Sequence, residues 1–178
     1  MMSRIGQVAR KMKSLLGYFT GCLNTTNRAV EHLAIISRND DYGTPLFLFE
    51  EACQKFKVRP VVDYFASDTN HVCDEYYTKN DNAFLQNWTK PGFINPPYSM
   101  VAKVIKKAWE EHQKHNTELL LLTYSKSDTR WWHEFIEGKA EVHFHKGRIK
   151  FLDSKGILTK RPAPYPSVWI IYRDGKLR

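Results

Sequence analysis

The amino-acid sequence predicts an α/β fold built on a mostly parallel sheet with an antiparallel C-terminal edge. Three observations predict it. Single apolar runs (Val61 to Phe65, Gly92 to Ile94, Leu119 to Leu122) alternate with segments whose apolar residues recur at helical spacing. Leu119-Leu120-Leu121-Leu122 has the unbroken apolarity of a strand buried on both faces. The C-terminal third then carries strand-like runs at Glu141 to His145, Gly147 to Leu152 and Ser167 to Tyr172, with turn residues between them. Helices alternating with buried strands, followed by a strand-rich end, are the pattern of one covered sheet rather than of a bundle or a sandwich.

A chain of 178 residues with 42% hydrophobic and 13% aromatic residues is enough for one domain with its own core. Its formal charge of +8 sets up a positive field that favours a polyanionic partner such as nucleic acid. Cys22, Cys53 and Cys73 are odd in number and scattered, which supports neither a disulfide framework nor a structural zinc site. No apolar stretch approaches the roughly 20 residues that span a bilayer, so a soluble, cytoplasmic protein is expected.

Taken in order, residues 1–38 form a basic extension. Ile5, Val8, Met12, Leu15, Leu16 and Phe19 recur at helical spacing among Arg4, Arg10, Lys11 and Lys13, which predicts an amphipathic helix. Residues 39–178 form the main domain. Thr44-Pro45 reads as an N-cap followed by proline at the first helical position, and Leu48, Phe49, Ala52, Cys53 and Phe56 share one face of the helix that follows. Pro60 closes that unit, and Val61 to Phe65 is a buried strand with Asp63 near its end.

Val72 to Thr78 reads as a second strand and Gly92 to Ile94 as a third. Ser99 is a helix cap before Val101, Val104, Ile105, Ala108 and Trp109. Asp128 caps a shorter helix through Trp131, Trp132, Phe135 and Ile136 that ends at Gly138. His143 and His145 share a strand face, but with no third ligand in view they read as structural, and no metal site is expected. In open sheets of this kind ligands bind beyond the carboxyl ends of the strands, so Asp63 and Asn95 should line one crevice.

The stretch with most chemistry is Asn95-Pro96-Pro97-Tyr98. Asparagine does not titrate usefully, which makes it a poor acid, base or nucleophile but a good holder of an amino group. The prolines lack N–H donors and leave stiff carbonyl acceptors. Together the Asn95 side-chain oxygen and the Pro96 carbonyl can accept both hydrogens of one planar NH2, and Tyr98 offers a face on which a ring can stack. Holding both hydrogens lets a conjugated nitrogen pyramidalise and attack a strong electrophile such as a sulfonium methyl group.

The chain from Tyr42 to Tyr172 resembles the small phage-type DNA N6-adenine methyltransferases, the Dam-like family. The resemblance is carried in order by Thr44-Pro45; Asp63 with Ala66; Tyr77-Thr78 with Asp81 and Ala83; Trp88; Asn95 to Ser99; Asp128 to Trp132; Gly147 to Phe151; and Pro166-Ser167-Val168. It implies a class I, Rossmann-like methyltransferase sheet with helices on both faces and S-adenosylmethionine as cofactor. Asn95, Pro96, Pro97 and Tyr98 are then the catalytic set. Thr44, Pro45, Asp63, Phe65, Ala66, Asp81, Asn82 and Asn95 are the expected cofactor contacts, with Asp63 at the amino-acid end and Asp81 and Asn82 near ribose or adenine. The loop Ala66-Ser67-Asp68 departs from the usual pattern in holding no glycine.

Methylating adenine within double-stranded DNA requires the base to leave the stack, at roughly a few kcal/mol. The expected DNA contacts are Ser99, Lys126, Arg130, Arg148 and Lys150, the last two on one strand face; Lys155, Lys160 and Arg161 lie in a loop that can also reach DNA. Two other readings fit the same four residues: a protein glutamine N5-methyltransferase, and a nucleic-acid-binding relic without activity. The first has no use for the basic surface, and the second would not bind the cofactor.

Overall fold

A computed structural model describes residues 42–174. The helix expected over residues 1–38 lies outside them. The first helix, α1 (Leu46–Phe56), buries Leu48, Phe49, Ala52 and Phe56, as its periodicity requires, and Lys57 ends it with φ 56°. Its N-cap is Pro45 rather than the expected Thr44. The Pro45 carbonyl accepts from Leu48 N (3.0 Å) and Phe49 N (3.2 Å), while Gly43 pairs with Leu152 through reciprocal backbone bonds of 2.9 and 2.8 Å.

Six strands form one sheet: β1 (Val62–Asp63), β2 (Glu75–Tyr76), β3 (Gly92–Ile94), β4 (Leu119–Tyr124), β5 (Glu141–Phe144) and β6 (Ser167–Tyr172), in the spatial order β2-β1-β3-β4-β6-β5. The first four in that order are parallel, with Asp63 beside Phe93 and Ile94 beside Leu121. β6 runs antiparallel to β4, and β5 antiparallel to β6. The antiparallel pairing thus falls at the C-terminal side, as expected, but the reversed strand is interior and β5 forms the edge.

Alternate residues of the sheet feed two cores. Val62, Ile94, Leu119, Leu121, Val168 and Ile170 pack on one face with α2 (Val101–His115) and α3 (Arg130–Phe135). Phe93, Leu120, Leu122, Trp169 and Ile171 pack on the other with α1 and with Ile149 and Phe151. This period-2 division is what a mixed α/β sheet covered on both faces demands.

Trp88 is fully buried and fixes the segment between β2 and β3. Its indole donates to the Ala83 carbonyl (2.9 Å), its N–H to Glu111 Oε2 (2.7 Å), its carbonyl accepts from Thr117 Oγ1 (2.8 Å), and its ring stacks on Tyr64 at 4.7 Å. Truncating so buried a ring costs about 3–5 kcal/mol.

Three further expectations are corrected. Ser99 does not cap α2; it lies in a 3-10 turn, Tyr98–Met100, closed by Met100 N donating to the Pro97 carbonyl (2.9 Å), and Met100 is the N-cap. Asp128 does not cap α3; Thr129 does, with its hydroxyl bonded back to the Lys126 carbonyl at 2.7 Å. Gly147 to Leu152 is no sheet strand: it joins neither free edge of the sheet, β5 or β2. Its backbone pairs instead with Gly43, Thr159 and Ala163.

Candidate active site

The carboxyl ends of β1, β3 and β4 open on one rim of the sheet. At β1, Asp63 is 3% exposed, and its two carboxylate oxygens accept from Phe65 N and Val72 N, both at 3.2 Å. Burial pushes its carboxyl up from 3.8 to about 6, against the pull of those two N–H groups and of His71. A carboxylate held at such a cost by two neutral donors is suited to a cation.

At β3, the Asn95 side chain donates from Nδ2 to the Tyr42 carbonyl at 2.9 Å. This bond fixes the amide, so that Oδ1 is the atom left to accept. The carbonyl of Pro97 is spent on Met100 N, whereas that of Pro96 makes no hydrogen bond among the described residues. The motif therefore presents two acceptors, Asn95 Oδ1 and the Pro96 carbonyl. Tyr98 is ringed by Tyr42 (6.4 Å between centroids), Tyr124 (5.1 Å) and Tyr165 (6.1 Å), and Tyr124 meets Trp131 at 6.1 Å.

Segment 42–45 joins the two ends. Tyr42 holds Asn95, Gly43 pairs with Leu152, and Thr44 is 3% exposed with a buried Oγ1 that has no hydrogen-bond partner among the described residues. An unsatisfied buried hydroxyl beside the two strand ends marks a place where a bound molecule can complete the bonding. Gly43 is there for space: a Cβ on it would fall 1.3 Å from Asn70 Nδ2.

The loop after β1 closes without glycine. No residue from Ala66 to Asn70 takes a positive φ, and Ser67 and Asn70 close the loop by reciprocal backbone bonds of 3.0 Å.

Phe65 packs edge-on to Phe84 (5.8 Å) and Trp88 (6.0 Å), and Ala66 N bonds the Tyr77 carbonyl (3.0 Å). Asp81 is exposed and accepts from Thr78 N and Oγ1, both at 2.7 Å, bonds that hold its carboxyl below the ordinary value. Asn82 takes φ 48° and its Oδ1 accepts from Phe84 N (3.3 Å).

Ser99, Lys126 and Lys150 are exposed. Arg130 is in an exposed ion pair with Glu134 (2.6 Å), which costs little to break. Arg148 donates to the Pro164 carbonyl at 2.6 Å and so braces the segment after it. Of the paired tryptophans, Trp132 is core at 6% exposure, and Trp131 is the one on the aromatic rim.

Among the described residues no three His, Cys, Asp or Glu side chains are grouped to hold a metal, and no helix is long and apolar enough to cross a membrane. Tyr42, Asn70, Tyr124 and Tyr165 escape sequence reasoning, since nothing local marks residues that meet only through the sheet.

A family model described as DNA N-6-adenine-methyltransferase (Dam) matches residues 34–176. The chain belongs to that family. It is 32% identical over 83 residues to the DNA N-6-adenine-methyltransferase of Escherichia phage T1, a stretch covering 46% of this chain and 34% of that protein. It is 25% identical over 121 residues to the DNA N-6-adenine-methyltransferase of Haemophilus phage HP1, covering 67% and 70% respectively. The chain therefore spans about a third of the phage T1 relative and most of the phage HP1 relative. The Dam-family match encloses Thr44, Asp63, Asn95 and the aromatic rim within one continuous span.

Proposed function

We propose that this chain transfers a methyl group from S-adenosylmethionine to the N6 amino group of adenine in double-stranded DNA. The observation that carries the reading is the fixed Asn95 amide. Its Nδ2 is tied to Tyr42, which leaves Oδ1 and the Pro96 carbonyl as two acceptors beside the Tyr98 ring. Two acceptors and a stacking face match an exocyclic amino group on a flat base. Family membership and the formal charge of +8 favour DNA over a protein glutamine, whose side chain has no ring to stack.

The residues present fit the cofactor. Thr44 offers its unpartnered hydroxyl and Asp63 a buried carboxylate for a cationic amino group, with Phe65 and Ala66 at the turn beyond them. Pro45, Asp81 and Asn82 are the remaining cofactor contacts on this reading. When bound, S-adenosylmethionine supplies a methyl group on a positively charged sulfur. Asn95 Oδ1 and the Pro96 carbonyl hold the two amino hydrogens as the nitrogen develops positive charge, and Tyr98 holds the ring in line.

The sheet supports a class I methyltransferase reading: parallel strands, helices on both faces, and one reversed strand, β6, inserted before the edge. On this reading residues 39–178 are the catalytic domain and residues 1–38 an extension. Ser99, Lys126, Arg130, Arg148 and Lys150 face DNA, in the cytoplasm of a cell that holds it. The test is methyl transfer to DNA by the purified chain. Asn95→Ala should abolish it, by about a thousandfold or more, with the fold retained. A folded, cofactor-bound wild-type chain that methylates no DNA overturns the proposal.

A further inference from the structure

Residues 162–166, just before β6, form a strap that is stiff by composition. Pro162, Pro164 and Pro166 alternate with Ala163 and Tyr165, so the prolines have φ fixed by their rings and the residues between them, each preceding a proline, are kept extended. The strap is pinned to its surroundings along its length. Ala163 N donates to the Ile149 carbonyl (2.7 Å), Ser125 N to the Pro166 carbonyl (2.8 Å), and Arg148 Nη1 to the Pro164 carbonyl (2.6 Å), with the Ala163 carbonyl 3.5 Å from the same nitrogen. The first two pins are backbone bonds that many side chains would allow. The third is a side chain, so its identity matters.

What the strap presents is Tyr165. Its ring is 45% exposed, belongs to neither core, and lies 6.1 Å from Tyr98 and 5.7 Å from Tyr124 between centroids. Its position therefore shapes the slot beside the Tyr98 ring, and the Arg148 pin is on the residue next to it. Arg148 spends only Nη1 on the strap. Its Nε and Nη2 make no hydrogen bond among the described residues, and the side chain is exposed. That edge of a guanidinium has the fork geometry that takes a phosphate through two parallel bonds.

We propose that Arg148 is a positioning residue: it holds Tyr165 beside Tyr98 through the Pro164 carbonyl and, with its other edge on a DNA phosphate, ties that placement to the bound duplex. This rests on the reading of the site given above. A lysine would keep the charge, but a point charge on a flexible stem cannot hold a carbonyl and a phosphate in one fixed plane.

The experiment is a cycle of Arg148→Lys, Tyr165→Ala and the pair. Arg148 is exposed and the two backbone pins remain, so the variants should fold. Arg148→Lys should lower kcat about tenfold with KM for duplex DNA within about threefold, whereas the same change made in Tyr165→Ala should alter kcat by less than about twofold, because the two residues act as one unit. Arg148→Gln should lower kcat as much and also reduce the slope of log affinity against log salt by about one, since a phosphate contact is lost. A second readout needs no turnover. With fluorotyrosine in place of tyrosine, the fluorine resonance that Tyr165→Phe removes should differ between wild type and Arg148→Lys, and it should move when wild type binds a duplex of G·C pairs only, which offers phosphates and no adenine. An unchanged kcat in Arg148→Lys, a loss that persists in Tyr165→Ala, or a Tyr165 resonance that stays in place overturns the inference. A wild type that shows both shifts but methylates no DNA overturns the proposed function and leaves the role of Arg148 standing.

Discussion

The two strand ends that meet at segment 42–45 are built for opposite kinds of ligand. The end of β1 is nearly dry: Asp63 is a buried acid satisfied by two backbone N–H groups, and burial pushes its carboxyl to about 6. The end of β3 is half-buried and carries no charge. Asn95 is anchored by one bond, and what surrounds it is rings. A carboxylate kept charged at a desolvation cost selects a cation, whereas an amide among aromatics selects a neutral, planar group with an amino substituent. On the proposed function, this contrast would sort the two substrates by polarity before shape enters.

The largest expected effect that sharpens this contrast is at Asp63. Asp63→Asn removes the charge and one of two acceptors, and should weaken S-adenosylmethionine binding by about a hundredfold, the worth of a charged hydrogen bond. DNA binding should be unchanged. Because the folded value of about 6 lies above the ordinary 3.8, this group's contribution to the stability of the free protein is complete below 3.8 and is lost as pH rises through about 6. A bound cation reverses the sign. Calorimetric affinity for the cofactor should therefore climb as pH rises through about 6 and level off above it, and the climb should be missing in Asp63→Asn. A wild-type affinity that is flat from pH 5 to 8 breaks the comparison.

A smaller effect is expected at the other end. Tyr98→Ala removes the stacking face and should cost about tenfold in kcat/KM for DNA, in line with the loss of one base–aromatic stack, while cofactor affinity stays within about twofold. Tyr98→Phe keeps the ring and should keep most of the activity. If Tyr98→Ala instead weakens the cofactor as much as the DNA, the two ends do not divide the substrates as argued.

The sheet was legible wherever burial alone decides it. Gly92 to Ile94 and Ser167 to Tyr172 are strands with the expected bounds, and the shared rim of Asp63 and Asn95 follows from their places at neighbouring strand ends. Helix starts were not legible. Thr44, Ser99 and Asp128 have the right side chains for caps, yet Pro45, Met100 and Thr129 take those positions because backbone pairing around each one decides where the first turn closes. Gly147 to Leu152 alternates like a strand, with Arg148 and Lys150 outward and Ile149 and Phe151 inward, but its backbone partners are Gly43, Thr159 and Ala163 rather than a sheet strand. The aromatic rim was invisible for a related reason: Tyr42, Tyr98, Tyr124 and Tyr165 belong to four separate segments that only the sheet brings together.

The failed cap at Thr44 supplies the finest test. A threonine capping α1 would lose about 1 kcal/mol of stability on Thr44→Val. Here the hydroxyl is buried and, among the described residues, unpaired, so exchanging it for a methyl of nearly the same shape removes an unsatisfied polar group and should raise the stability of the free protein by about 1 kcal/mol. The same exchange should weaken the cofactor by several-fold, since the group that completes the hydroxyl's bonding then has nothing to meet. Thermal melts with and without S-adenosylmethionine read both signs in one experiment. A free protein that melts higher and gains less from ligand is the expected pair, and a free protein that melts lower would mean the hydroxyl is serving the fold rather than the crevice.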